Sequence, residues 1–277
     1  LLKAATNSIC DSVRFGPEFC EVKIPTQNML TKAYQLALKG EKEFIYVTPR
    51  LSNRGIEKIR KQLVLLNDLG NVRIVVNDLG ILNFLDQYPN VQPHLGRQLS
   101  FVPARCPWAS EIIDNGGLLA RRWVGKVFTS TSLNFTLTVN LYRTLGFQYA
   151  DVDWIPRIFP CFDALVKMGF CLSLHLQLVP VTISRRCHTA RFLGEETPEE
   201  CSRQCFSRTF LLENDAIKGK LFLHGNVVFS RTKPLKEFKK MREVKVAEIV
   251  MSMNPLTMIE STQRIDETIQ SLQSVHA

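Results

Sequence analysis

The sequence predicts an α/β fold of the (β/α)8 TIM-barrel type, lacking its first strand and carrying a late cysteine loop and a β-hairpin insertion. Three observations predict it. Short apolar runs alternate with amphipathic segments of helical period along nearly the whole chain. Val72–Asp78 is almost continuously apolar, the pattern of a parallel strand covered on both faces. No glycine-rich phosphate loop follows any predicted strand, which disfavours the competing open, doubly wound sheet. The expected organisation is one domain over residues 1–277, with 185–232 as cysteine loop and hairpin and 246–277 as last strand and helix.

The opening LLKAATNSICDS reads as the end of a helix, and Ser12–Gly16 as a short strand. The next helix places Leu30, Ala33, Tyr34, Ala37 and Leu38 on one face and stops at Gly40. Glu43–Pro49 is a strand. Ser52 then caps a helix that turns Ile56, Ile59, Leu63 and Leu66 inward. After the strand Val72–Asp78 come a short helix, LGILNFLDQ, and a strand, VQPHLG. FVPARCPWASEIIDNGGLLARRW is the least regular stretch and reads as an insertion with a partial helix. A loop and helix, the strand Gln148–Trp154 and a helix after Pro160 follow, then a long strand, Ser173–Ser184. KGKLFLHGNVVFS is a hairpin turning at His224–Asn226. VAEIVMS is the last strand, and the last helix points Ile259, Ile265, Ile269 and Leu272 inward. Seven parallel strands plus a hairpin fall one short of a closed barrel, so an initial strand is expected ahead of Leu1, where the chain has no methionine.

With 45% apolar residues in 277, the chain can build a full core without disulfide staples. Its eight cysteines therefore read as thiols of a reduced, cytoplasmic protein, with Cys161 and Cys171 as core residues. The longest apolar stretch, Phe170–Ile183, is too short to cross a bilayer, and no signal peptide is visible. Lysine and arginine number 35 against 26 acidic residues, a net charge of +9. Part of the excess lies in Lys233–Lys245, which reads as a solvated basic face or, alternatively, as an RNA-binding surface.

In a parallel barrel, chemistry gathers where strands end. Arg14 and Glu18, Thr48 and Arg50, Asn77 and Asp78, His94 and Arg97, Asp151 and Asp153, and His175 and Gln177 fall at or near such ends. Among them Asn77, Asp78, His94 and Arg97 are the candidates for catalysis, although Asp78 also suits a helix cap. The cysteines are more specific. Thirteen residues separate Cys187 from Cys201, and three separate Cys201 from Cys205, so one loop can aim three thiolates at one centre. Cys20, leaving the first strand, is the best placed fourth, with Cys106 its competitor. Such a quartet suits zinc or an iron–sulfur cluster; free thiols are the alternative. No GxSxG, HExxH, P-loop or EF-hand pattern is present. The adjacent Cys187 and His188 do not make a dyad by adjacency alone.

DSVRFGPEFCEVKIP, YVTPRLSNRG, VVNDLGILNFL, VTISRRCHTAR and EECSRQC resemble the collagenase-like peptidase family U-thirty-two, in its UbiV-like branch. The resemblance runs from about Asp11 to the last helix, and the cysteine pattern is its most specific part. It implies a (β/α)8-type barrel with a 4Fe–4S cluster on Cys20, Cys187, Cys201 and Cys205. The late-loop spacing is one residue longer than the branch's usual form. The implied activity is oxygen-independent hydroxylation of a small aromatic or ubiquinone precursor, with prephenate as a hydroxyl donor and a related subunit as partner. Other members hydroxylate RNA bases, which makes an RNA-modifying enzyme or RNA-binding accessory the alternative. The peptidase reading ranks last, because no protease constellation is visible.

Overall fold

The structure, a computed structural model, describes residues 1–195, 197, 200–213, 220–232, 245–253, 256–257, 259 and 261–276. Residues 233–244 of the basic run lie outside the described residues.

Seven parallel strands form one curled sheet in the order β1-β2-β3-β4-β5-β6-β11. They are β1 (Ser12–Phe15), β2 (Glu43–Val47), β3 (Val72–Val76), β4 (Val91–Leu95), β5 (Tyr149–Asp153), β6 (Cys171–His175) and β11 (Glu248–Val250). Helices alternate with them: α1 (Leu2–Thr6), α2 (Gln27–Lys39), α3 (Asn53–Leu69), the short α4 (Leu82–Leu85), α5 (Ala109–Asn115), α6 (Leu118–Phe128), α7 (Thr136–Thr144), α8 (Phe159–Lys167) and α10 (Thr262–His276). The fold is a mixed α/β half-barrel. The predicted strands starting at Ser12, Glu43, Val72, Val91, Gln148 and Val246 are all present within two residues.

The main core lies between sheet and helices. Phe44, Tyr46, Val72, Ile74, Val76, Leu95, Ala150, Val152, Leu172 and Leu174 point outward from the strands onto Leu30, Ala33, Ile59, Leu63, Phe162 and Leu165. Thr26 and Ser52 cap α2 and α3 by accepting from Met29 N and Gly55 N, satisfying orphan amides of the first turn. Leu38, expected inward, is exposed instead: the buried face of α2 is the narrower Leu30–Ala33–Ala37 stripe. Cys161 is buried as expected, whereas Cys171, the first residue of β6, is exposed. The stretch expected to hold a partial helix contains two, because the Gly116–Gly117 pair separates α5 from α6.

The strand expected over Ser173–Ser184 is in fact two. Gln177 takes a left-handed conformation (φ 75°) between β6 and β7 (Leu178–Ile183). The kink lets β7 leave the parallel sheet and pair antiparallel with β10 (Val227–Arg231). β10 also forms the predicted hairpin with β9 (Leu221–His224), turning at Gly225 (φ 64°), and β8 (Phe210–Leu212) adds the last edge. This four-stranded antiparallel sheet carries the cysteine loop, in which α9 (His188–Phe192) is the one short α-helix.

The parallel sheet ends at β1 on one side and β11 on the other, while α1 packs against α10 outside them. Ile9 N donates to Asp266 Oδ1 and Thr262 Oγ1 to Ala4 O, so the helical layer is joined where the sheet is open. No helix among the described residues is long and apolar enough to cross a membrane.

Gly16, where the chain leaves β1, has φ 130°, and a Cβ there would collide with the Val47 carbonyl. Gly16→Ala should lower stability by about 3 kcal/mol through strain and clash together, measured as a lower urea midpoint at unchanged slope.

Candidate metal centre above a buried ionic network

The face of the curled sheet turned away from the helices is largely polar, and one set of side chains from all seven strands interlocks on it. Asp151 on β5 is buried. Its Oδ1 lies 2.8 Å from Arg14 Nη1 and 2.8 Å from His94 Nε2. Its Oδ2 lies 3.1 Å from His175 Nε2, close enough for charge attraction but not aligned as a hydrogen bond. Burial by itself would raise its pKa; Arg14, His94 and His175 instead bring it well below the usual carboxylate range. Glu248 on β11 joins the set, pairing with Arg14 Nη2 at 3.2 Å and Arg73 Nη1 at 2.6 Å and accepting from Ser173 Oγ at 2.6 Å. Arg73 is gripped from below by both oxygens of Glu43, each at 2.6 Å.

A second set lies toward the strand ends. Arg97 is 1% exposed and uses all of its fork. Nε and Nη2 hold the two Glu18 oxygens at 2.7 Å each, while Nη1 donates to Asp153 Oδ1 at 2.8 Å and to Leu178 O at 3.1 Å. Asp153 Oδ2 accepts from Arg105 Nε at 2.7 Å. Burial works against the Asp153 anion, and Arg105, Arg97 and His175 overcome it, so this carboxyl too is held low. His94 and His175 are both driven below the ordinary imidazole value, chiefly by burial, and are neutral at pH 7. The Asp151 acceptor places the His94 proton on Nε2, leaving Nδ1 buried without a partner.

The four catalytic candidates are thus absorbed by the scaffold. Asn77 donates to Thr48 O and accepts from Gln98 N; Asp78 accepts from Leu51 N and Gly80 N, the capping role the sequence suggested. His94 and Arg97 belong to the ionic network. Sequence reasoning missed Glu43, Arg73, Arg105 and Glu248. Arg73, a charge inside the apolar run VRIVVND, is the one that carried a readable signal.

Glu18 leads directly into Phe19 and Cys20, so the network positions the cysteine site. Cys20, Cys187 and Cys201 line one cavity of about 200 Å³. Cys187 helps to raise the Cys20 pKa, and Cys205 and Cys201 help to raise that of Cys187, so these thiols are near neighbours. Cys205 is buried beside the hairpin turn, with its Sγ 3.7 Å from where a Cβ on Gly225 would lie. Cys106 does not line the cavity; Cys20 does.

Two of the thiols occupy helix starts. Cys20 precedes the 3₁₀ turn Glu21–Lys23 without capping it by a hydrogen bond, and the nearby backbone of Val22 and Lys23 favours its thiolate. Cys187 caps α9, its Sγ accepting from Ala190 N at 3.4 Å. Burial pushes both thiols up; these backbone groups oppose it by favouring the thiolate. The loops are tied together. Asn226 Nδ2 donates to Phe19 O at 2.8 Å and to Ser184 O at 2.9 Å. Lys23 Nζ sits 4.7 Å from the centre of the Phe206 ring, and Glu21 Oε2 accepts from Ser52 N at 2.7 Å. Arg50, Arg185, Arg186 and Arg191 also line the cavity, giving it a cationic wall. Among the described residues, no three His, Cys, Asp or Glu side chains converge closely enough to hold a single metal ion.

No family model matches this chain, and neither a curated protein nor a solved structure does.

Arg97→Met should cost roughly 3–5 kcal/mol by leaving Glu18 and Asp153 buried without their partner, measured by denaturant unfolding. The network also sets a pH dependence. His94 and His175 have lowered folded pKa values, so their contribution is complete above about pH 6.5 and is lost as pH falls below it. Asp151, Asp153 and Glu248 are likewise lowered, and their share is complete above about pH 4 and lost at lower pH. The melting temperature should therefore sag below about pH 6.5 and fall steeply below about pH 4. His175→Gln should flatten the first part of that descent.

Proposed function

We propose that this chain holds a 4Fe–4S cluster on Cys20, Cys187, Cys201 and Cys205 and takes part in oxygen-independent hydroxylation of a small aromatic or quinone precursor, together with a related subunit. The observation that carries the reading is that Cys20, Cys187 and Cys201, from residues far apart in the chain, line one cavity, with Cys205 near enough to Cys187 to influence its ionisation. The donor chemistry suits a cluster. The all-thiol set is soft, and cysteine is the usual cluster ligand. The Ala190 amide donated to Cys187 stabilises a thiolate ligand, and arginines along the wall offset the net negative charge of a thiolate-bound cluster. When bound, the cluster would supply electron transfer or activation of an oxygen-bearing donor.

The rest of the chain supplies position. Asn226 holds the Cys20 and Cys187 loops at a fixed separation, and Arg97 anchors Glu18 two residues before Cys20. The resemblance to family U-thirty-two supports the hydroxylation chemistry and the completed (β/α)8 barrel.

The test is anaerobic purification or reconstitution followed by iron and sulfide analysis, with visible and EPR spectra. About four irons and four sulfides per chain are expected. Cys201→Ala should lose most of that iron, whereas Cys106→Ala should keep it. Equal iron in the two variants would sink the ligand assignment.

A further inference from the structure

Two consecutive helices carry apolar stripes that nothing among the described residues covers. On α6, Leu119, Trp123 and Val127 recur every fourth residue and are 74%, 63% and 52% exposed. On α7, Leu137 and Leu141 share that spacing at 85% and 55% exposed, with Phe135 exposed just ahead of them. Side chains four apart lie on one side of a helix, so each set is a continuous stripe. A folded monomer rarely leaves so much large apolar surface in one stretch of chain without a use for it.

The charges on α6 choose among occupants. The helix contains Arg121, Arg122 and Lys126 and no acidic residue. By helical geometry Arg122 and Lys126 border the Leu119–Trp123–Val127 stripe, and Lys126 Nζ lies 5.4 Å from the Trp123 ring centre. A second copy of the chain is a poor occupant. A two-fold contact through this helix would bring four cations together, Arg122 and Lys126 from each copy, on proteins that each carry a net charge of +9. A tryptophan and aliphatic stripe flanked by arginine and lysine is the composition of a helix that lies in the plane of a membrane surface. Such a helix sinks its apolar side chains below the headgroups and sets its cations against anionic lipid.

We infer that α6, with the exposed stripe of α7 beside it in the chain, docks the protein onto the surface of an anionic lipid bilayer. No segment spans the bilayer in this arrangement. The inference stands on surface chemistry alone and is independent of the cysteine site.

Liposome co-sedimentation of the full chain tests it. Vesicles of phosphatidylcholine with about one third phosphatidylglycerol should carry the protein down, and pure phosphatidylcholine vesicles should carry at least tenfold less. Binding should weaken steeply between 0.1 and 0.5 M NaCl, by roughly an order of magnitude, as expected for screened surface charge. Trp123 emission should shift to the blue on binding. The double variant Leu119→Ser/Trp123→Ser should lose at least nine-tenths of the bound fraction, and Arg122→Glu/Lys126→Glu should do the same. These side chains are exposed, so melting curves should be unchanged in both variants. No sedimentation with anionic vesicles would overturn the inference, as would wild-type binding by either variant. A lipid-free dimer by light scattering that both variants abolish would assign the surface to a protein interface and overturn it equally.

Discussion

A single guanidinium, that of Arg97, decides how the strand ends meet. It reaches from the exit of β4 to Glu18 beyond β1, to Asp153 at the end of β5 and to the Leu178 carbonyl at the start of β7. A fully buried cation is tolerated only when its hydrogen-bonding groups are met by opposite charge or carbonyl oxygen, and here the fork is filled. Arginine suits this place because a lysine ammonium has no planar fork to engage both Glu18 oxygens. Everything above the sheet follows from that junction. Glu18 holds the β1 exit in place, the exit delivers Cys20, and Leu178 begins the strand that delivers Cys187.

The interior of the sheet departs from the layered aliphatic filling common in parallel barrels. Ile45, Val47 and Val75 supply a small apolar patch there. The rest is filled by Arg14, Arg73, His94, Asp151, Ser173, His175 and Glu248. Pairing overcomes burial for Asp151, which stays ionised, whereas for His94 and His175 burial outweighs pairing and leaves the imidazoles neutral at pH 7. With Glu43, the network joins all seven strands by side chains where the backbone ladder joins them only pairwise.

Much of the architecture was legible because its signals are local. The periodic apolar face of α3, the two-faced apolar run of β3 and the Gly225 turn each announce themselves within a dozen residues. The break at Gln177 did not. The residues around it read as one β-prone run, and the kink arises because β7 must turn to pair with β10, some fifty residues downstream. The cysteine site was half legible. Spacing selected Cys187, Cys201 and Cys205, and position after a strand selected Cys20 over Cys106. The side chains that hold these loops in place, Asn226 and Lys23, gave no warning, because an asparagine beside a hairpin glycine looks like turn chemistry alone. The catalytic candidates were chosen by location at strand ends, and location does not distinguish a reacting group from a brace.

The open side of the sheet has a consequence for how the protein behaves among other chains. β1 and β11 face each other across a cleft of about 290 Å³ whose walls include Arg14, Asp151, His175 and Glu248. Unpaired sheet edges invite foreign strands, and inward-facing ionic groups are among the means by which proteins discourage them. A greasy intruder would have to strip solvent from those groups, whereas a segment with matching polar side chains would not. The polar lining thus raises the cost of seating an apolar strand in the cleft relative to a polar one.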